Sequence, residues 1–115
     1  MAEECNIPQG KITIGFSNKK LSIGVLELNP GQALEKHSRP VKEQLFQVRG
    51  VCIIKIFYKG NKIRESVLKE GSYLKIPANQ FHIHSNPTSE KTLTLWKFQG
   101  DISEIIRKIR ESSKK

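Results

Sequence analysis

The chain has 115 residues, 37% hydrophobic and 27% charged, which suits one compact domain and is too apolar for intrinsic disorder. Its 20 Lys and Arg against 11 Asp and Glu give a net charge of +9 that favours anionic partners; the basic residues are scattered and never interleaved with aromatics, so nucleic-acid binding is not expected. No window approaches the roughly 20 apolar residues of a membrane span, and residues 1–6 lack the basic start and apolar stretch of a secretory signal, so the expected location is cytoplasmic.

Cys5 lies in an N-terminal stretch expected to be mobile, and Cys52 lies inside an apolar run that should bury it as a free thiol. Two cysteines so placed do not suggest a disulfide framework. From residue 11 to 99, short β-rich runs alternate with turn signals, as in an all-β sandwich or barrel. The predicted strands are residues 12–16, 21–28, 44–48, 51–59, 63–68, 73–76, 81–85 and 92–98. Asn18-Lys19-Lys20, Arg49-Gly50, Gly60-Asn61 and Glu70-Gly71 supply tight connections, because glycine and asparagine tolerate positive φ. In residues 51–59, Cys52, Ile54, Ile56 and Tyr58 share the face that should line the barrel. In residues 81–85 the same parity points His82 and His84 to one side and Ile83 to the other. Tyr58 and Trp96 are read as core aromatics.

After Gly100 the period changes. Ile102, Ile105, Ile106 and Ile109 recur at helical spacing, with Arg107, Lys108 and Arg110 between them. Asp101 and Glu104 have the spacing of a capping box. The expected helix, residues 101–112, lays its isoleucine stripe on the outside of the barrel domain, residues 11–99; the alternative is a partner-binding or dimer helix. Residues 112–115 should fray.

Two motifs carry a resemblance. Gly31, His37, Glu43 and Gly50 have the spacing Gly, five residues, His-x-His, three residues, Glu, six residues, Gly, except that Arg39 stands where the second histidine would be. Gly71, Pro77, His82 and Asn86 fit Gly, five residues, Pro-x-Gly, two residues, His, three residues, Asn, with Asn79 replacing the second glycine. Together these segments resemble the two conserved motifs of the cupin superfamily, and the likeness covers roughly residues 21–98. It implies a small antiparallel jelly-roll barrel, here with a C-terminal amphipathic α-helix.

The resemblance further implies that His37, Glu43 and His82 hold a divalent metal ion inside the barrel: iron, zinc, manganese or nickel. Two imidazoles and a carboxylate suit iron(II), with positions left open, and also zinc. Arg39 is the departure, since a guanidinium is a permanent cation that cannot ligate a metal. His84, about 6.6 Å along the strand from His82 at about 3.3 Å per residue, is a candidate further ligand. The alternative is a barrel without metal, in which Glu43 pairs with Arg39. Aimed into the pocket, Arg39 offers a forked donor to a carboxylate or phosphate, and so binds a small anionic molecule; otherwise it makes a surface ion pair. Gln47 shares the parity of Glu43 and is a candidate to place an amide in the same pocket. No serine or cysteine sits in a recognisable nucleophile arrangement, so catalysis of the oxygenase or isomerase kind would rest on the metal. The rival function is a metal-free module that senses a ligand or dimerises. Exposed sheet edges make a homodimer the expected assembly.

Overall fold

The computed structural model describes residues 2–113; Lys114 and Lys115, in the tail expected to fray, lie outside the described residues. The strands are β1 (Glu3–Ile7), β2 (Gly10–Ser17), β3 (Leu21–Leu28), β4 (Glu43–Arg49), β5 (Cys52–Tyr58), β6 (Lys62–Leu68), β7 (Tyr73–Ile76), β8 (His82–Ser85) and β9 (Thr92–Gln99), followed by helix α1 (Ser103–Ser112). They form two antiparallel sheets, β1-β2-β3-β9-β4-β7 and β6-β5-β8. Each buries one face against the other as a jelly-roll barrel. Period-2 alternation explains this directly: in β3, Ser22, Gly24, Leu26 and Leu28 are buried while the residues between them are half-buried. Among the described residues no helix is long and apolar enough to cross a membrane.

Two expectations are corrected. The terminus thought mobile is a strand: β1 pairs with β2 in the register Cys5↔Ile12 and Ile7↔Gly10, and Cys5 is buried. Its signal was hidden because only Cys5 and Ile7 are apolar in a strand otherwise made of Glu3, Glu4 and Asn6. Tyr58 is 44% exposed. It keeps the parity of Cys52, Ile54 and Ile56 but sits at the end of β5, beyond the reach of the opposite sheet. Cys52 is buried and, like Cys5, free.

Trp96 is in the core, as read, and Gly24 is what admits it. The two are cross-strand partners, and a Cβ on Gly24 would lie 2.2 Å from Trp96 Cζ2 and 2.2 Å from the Thr13 carbonyl oxygen. The indole therefore rests on bare backbone. Asn79, in the glycine position of the second motif, takes φ 64°, as its ready entry into the left-handed region allows.

Helix α1 begins differently from a capping box. Asp101 Oδ1 accepts the Ser103 backbone N–H at 2.9 Å, but Glu104 pairs with Arg107 one turn on and does not reach back. The isoleucine stripe also has an unexpected destination. Ile102 and Ile106 are fully buried, and together with Ile105 and Ile109 they close one mouth of the barrel. Arg110 holds the helix to β1 through Glu3 at 3.0 Å.

Candidate metal centre

The segment between β3 and β4 carries His37 and runs along β8 as an irregular extra strand. The His37 N–H donates to the His82 carbonyl at 3.0 Å, and the His82 N–H returns a bond to the His37 carbonyl at 2.9 Å. Leu34 N–H to the His84 carbonyl and Asn79 N–H to the Arg39 carbonyl extend the same ladder. The two histidines thus face each other across a hydrogen-bonded pair, with ring centroids 4.2 Å apart. Glu43 arrives from the other sheet, where β4 lies between β7 and β9. One donor atom from each of His37, Glu43 and His82 lies within 4.8 Å of the others.

The chemistry of these three groups suits a cation. His37 Nδ1 lies 2.6 Å from the Glu35 carbonyl oxygen, and His82 Nδ1 lies 2.9 Å from that of Gln80. A carbonyl only accepts, so each Nδ1 carries its proton and each Nε2 is left with a bare lone pair. This backbone fixing of ring and tautomer is how metal-ligating histidines are oriented. Glu43 Oε1 sits 3.2 Å from His82 Nε2, yet among the described residues these are the two buried side-chain polar atoms without a hydrogen bond. Leaving such groups unpaired costs about 1–3 kcal/mol each, and more for a charged one. A cation between them would satisfy both.

The charge states agree. Burial, with help from the Arg39 cation, lowers the His37 pKa to about 4, so its lone pair is free at neutral pH. Burial pushes the Glu43 carboxyl upward, and only positive charge at the facing imidazoles, His82 first, outweighs this and holds it below the usual range; with the imidazoles neutral, that charge has to come from a cation in the cluster.

His84 is not brought into the cluster. Its partner is Thr94, and a chain of hydrogen bonds fixes how. Gln47 Nε2 donates to the carbonyls of Arg49 at 2.9 Å and Gly50 at 3.3 Å, so Gln47 Oε1 faces Thr94 and accepts its hydroxyl at 2.6 Å. Thr94 Oγ1 has then spent its proton, and it accepts from His84 Nε2 at 3.3 Å. His84 is neutral, its pKa lowered to about 4 chiefly by burial. Gln47 is fully buried in this network and lines neither of the cavities described next, contrary to the expectation that it offers an amide to a ligand. Thr94 as the orienting partner of His84 was not foreseen; its parity with Thr92 and Trp96 on β9 was the available signal.

A cavity of about 50 Å³ adjoins the cluster, with His37, Arg39, Glu43 and His84 on its wall. An open cleft of about 750 Å³ between α1 and residues 34–40 lies next to it and shares Leu34, His37, Arg39 and Ile105 on its wall. Arg39 is half-buried, and desolvation lowers its pKa, with nearby Glu43 opposing. Among the described residues it has no carboxylate within ion-pair distance, and its one hydrogen bond goes to the Ser38 carbonyl at 3.2 Å. The expected alternatives, a pair with Glu43 or a surface ion pair, are both absent there.

No protein-family model matches the sequence, and no curated protein matches it. In structure the chain is similar to oxalate decarboxylase from Bacillus subtilis, with TM-score 0.77 and 22% identity over 86% of this chain and 28% of that one. It is likewise similar to the formate complex of oxalate decarboxylase from Lactobacillus farciminis, with TM-score 0.78 and 23% identity over 88% and 32%. The Bacillus enzyme has Mn(II) centres. The chain spans less than a third of the length of either protein. At this identity the likeness shows the fold alone, the jelly roll that this chain shares with part of each enzyme, and leaves activity to the site.

Proposed function

We propose that the chain is a small metal-binding cupin in which His37, Glu43 and His82 hold one divalent ion and Arg39 binds an anionic small molecule beside it. The observation that carries this reading is the pair of buried, unbonded donors, Glu43 Oε1 and His82 Nε2, 3.2 Å apart. Three protein ligands leave coordination positions for substrate, and a bound ion would supply Lewis-acid or, for iron and manganese, redox chemistry. The Mn(II) centres of the structurally similar Bacillus enzyme make manganese the first ion to try, with iron(II), zinc and nickel beside it. Oxygenase and isomerase chemistry are the activities to screen once an ion is bound. Titration calorimetry of these four ions into wild-type and Glu43→Gln protein tests the reading. It predicts one site per chain, weakened at least 100-fold by the substitution; equal affinity in both proteins would remove Glu43 from the site.

In the same reading the protein works as a homodimer through the outer face of the larger sheet. Val25, Leu95, Phe46 and Tyr73 lie in one cross-strand row there. Phe46 is 42% and Tyr73 52% exposed. Adjacent exposed aromatic and aliphatic side chains of this kind mark association surfaces.

A further inference from the structure

The cavity beside the cluster is sharply divided. All its polar side chains, His37, Arg39, Glu43 and His84, lie at the cluster end. The barrel contributes Ile12, Leu26, Leu45, Trp96 and Phe98 to the rest of the wall, and α1 contributes Ile102, Ile105, Ile106 and Ile109. Ile105 and Ile109 remain half-buried and continue along the open cleft. A small all-polar dianion would fill only the cluster end, with one guanidinium to receive it, and would leave the apolar wall wet.

We propose that the site takes an amphipathic monocarboxylate, its head on Arg39 beside the cluster and its hydrocarbon tail along the isoleucine face of α1. The proposal rests on the reading that Arg39 receives an anion, and adds what else the ligand must be. Charge complementarity fixes the head: Arg39 is half-buried and has no carboxylate partner among the described residues, and a carboxylate matches the guanidinium fork. The apolar wall fixes the tail. Each buried methylene contributes about 0.8 kcal/mol, so affinity should rise about 4-fold per added carbon until the cleft is filled. The cleft of about 750 Å³ has room for a chain of medium length, which would follow the apolar strip of Leu34, Ile105 and Ile109 between charged walls that include Glu35, Lys36, Glu104 and Lys108.

Trp96, the only tryptophan in the sequence, lines the cavity and reports occupancy directly. Octanoate, butanoate, oxalate and 1-octanol are titrated into the full chain, metal-loaded and metal-free, with Trp96 emission as readout and elemental analysis of every sample. Octanoate should bind at least 10-fold more tightly than butanoate, oxalate or octanol. Arg39→Met and, separately, Ile105→Glu should each weaken octanoate at least 10-fold; Ile105 is only half-buried, so the barrel should tolerate the change. Oxalate binding as well as octanoate, affinity indifferent to chain length, or no octanoate binding at all would each overturn the proposal, and the wild-type comparisons decide this without any variant. Octanoate selectivity in protein that retains no ion would uphold the proposal and remove the metal reading. Retained ion with oxalate preferred would do the reverse.

Discussion

Replacing Gln47 with leucine, which has similar volume and no polar atoms, tests the buried network that orients His84. Gln47 is fully buried; its amide nitrogen donates to the Arg49 and Gly50 carbonyls and, more weakly, to Cys52 Sγ at 3.5 Å, and its amide oxygen accepts from Thr94. Arg49 is exposed and Gly50 half-buried, so water can reach the two turn carbonyls, and their loss should cost about 0.5–1 kcal/mol each. Thr94 is buried, and its hydroxyl must exchange the Gln47 oxygen at 2.6 Å for the longer contact with His84 Nε2 at 3.3 Å, at about 0.5–1 kcal/mol. The sum, about 1.5–3 kcal/mol, should lower the urea midpoint by about 0.8–1.5 M at an m-value near 2 kcal/mol/M. A second readout is specific to the network: with Gln47 gone, Thr94 is free to donate to His84 Nε2, and the His84 proton should move to Nδ1, visible in long-range 15N–1H spectra of the imidazoles. A midpoint within about 0.3 M of wild type and an unchanged His84 tautomer would refute this assignment of protons.

Gly24→Ala should push Trp96 out of place, since the added carbon would meet the indole at 2.2 Å; overpacking of this kind costs about 1–3 kcal/mol, seen as a lower melting temperature with shifted tryptophan emission. The neutral histidines make metal-free protein acid-sensitive. His84 titrates at about 4 in the fold against 6.5 when unfolded, so its contribution is complete above pH 6.5, declines as pH falls through the interval, and is lost below 4. The loss is about 3 kcal/mol for His84, with a further loss from His37 in the same direction; urea midpoints should fall between pH 7 and 4.5 in wild type and fall less in His84→Gln. Phe46→Lys, on the exposed face of the larger sheet, should convert a dimer to a monomer in sedimentation velocity without lowering the melting temperature by more than a few degrees. A wild-type monomer at tens of micromolar would end the dimer reading.

The strands between residues 12 and 98 were legible because each buries one face, so alternation and turn residues carry the signal; all eight form within two residues of their expected ends. β1 was not, because three of its five residues are polar and its stability comes from pairing with β2. At the site, the motif residues His37, Glu43 and His82 come together, since a ladder between residues 37 and 82 brings the two rings face to face. Parity alone could not separate His82 from His84, nor Glu43 from Gln47. Each pair shares a face, and their different roles depend on position along the barrel axis and on partners such as Thr94 that lie 10 and 47 residues away. The isoleucines of α1 were recognised as an apolar stripe, but a helical period says nothing about which surface receives it. That depended on the Arg110–Glu3 contact and on the open mouth of the barrel.

The most direct test of the metal site is the metal content of protein reconstituted with manganese, iron(II), zinc or nickel and dialysed, compared for wild type, His82→Ala and His84→Ala. Near-stoichiometric ion in wild type and in His84→Ala, lost from His82→Ala, is the result predicted from the donor set and from the Thr94 partner of His84. An ion retained equally by wild type and His82→Ala, or by none of the three proteins, would contradict it.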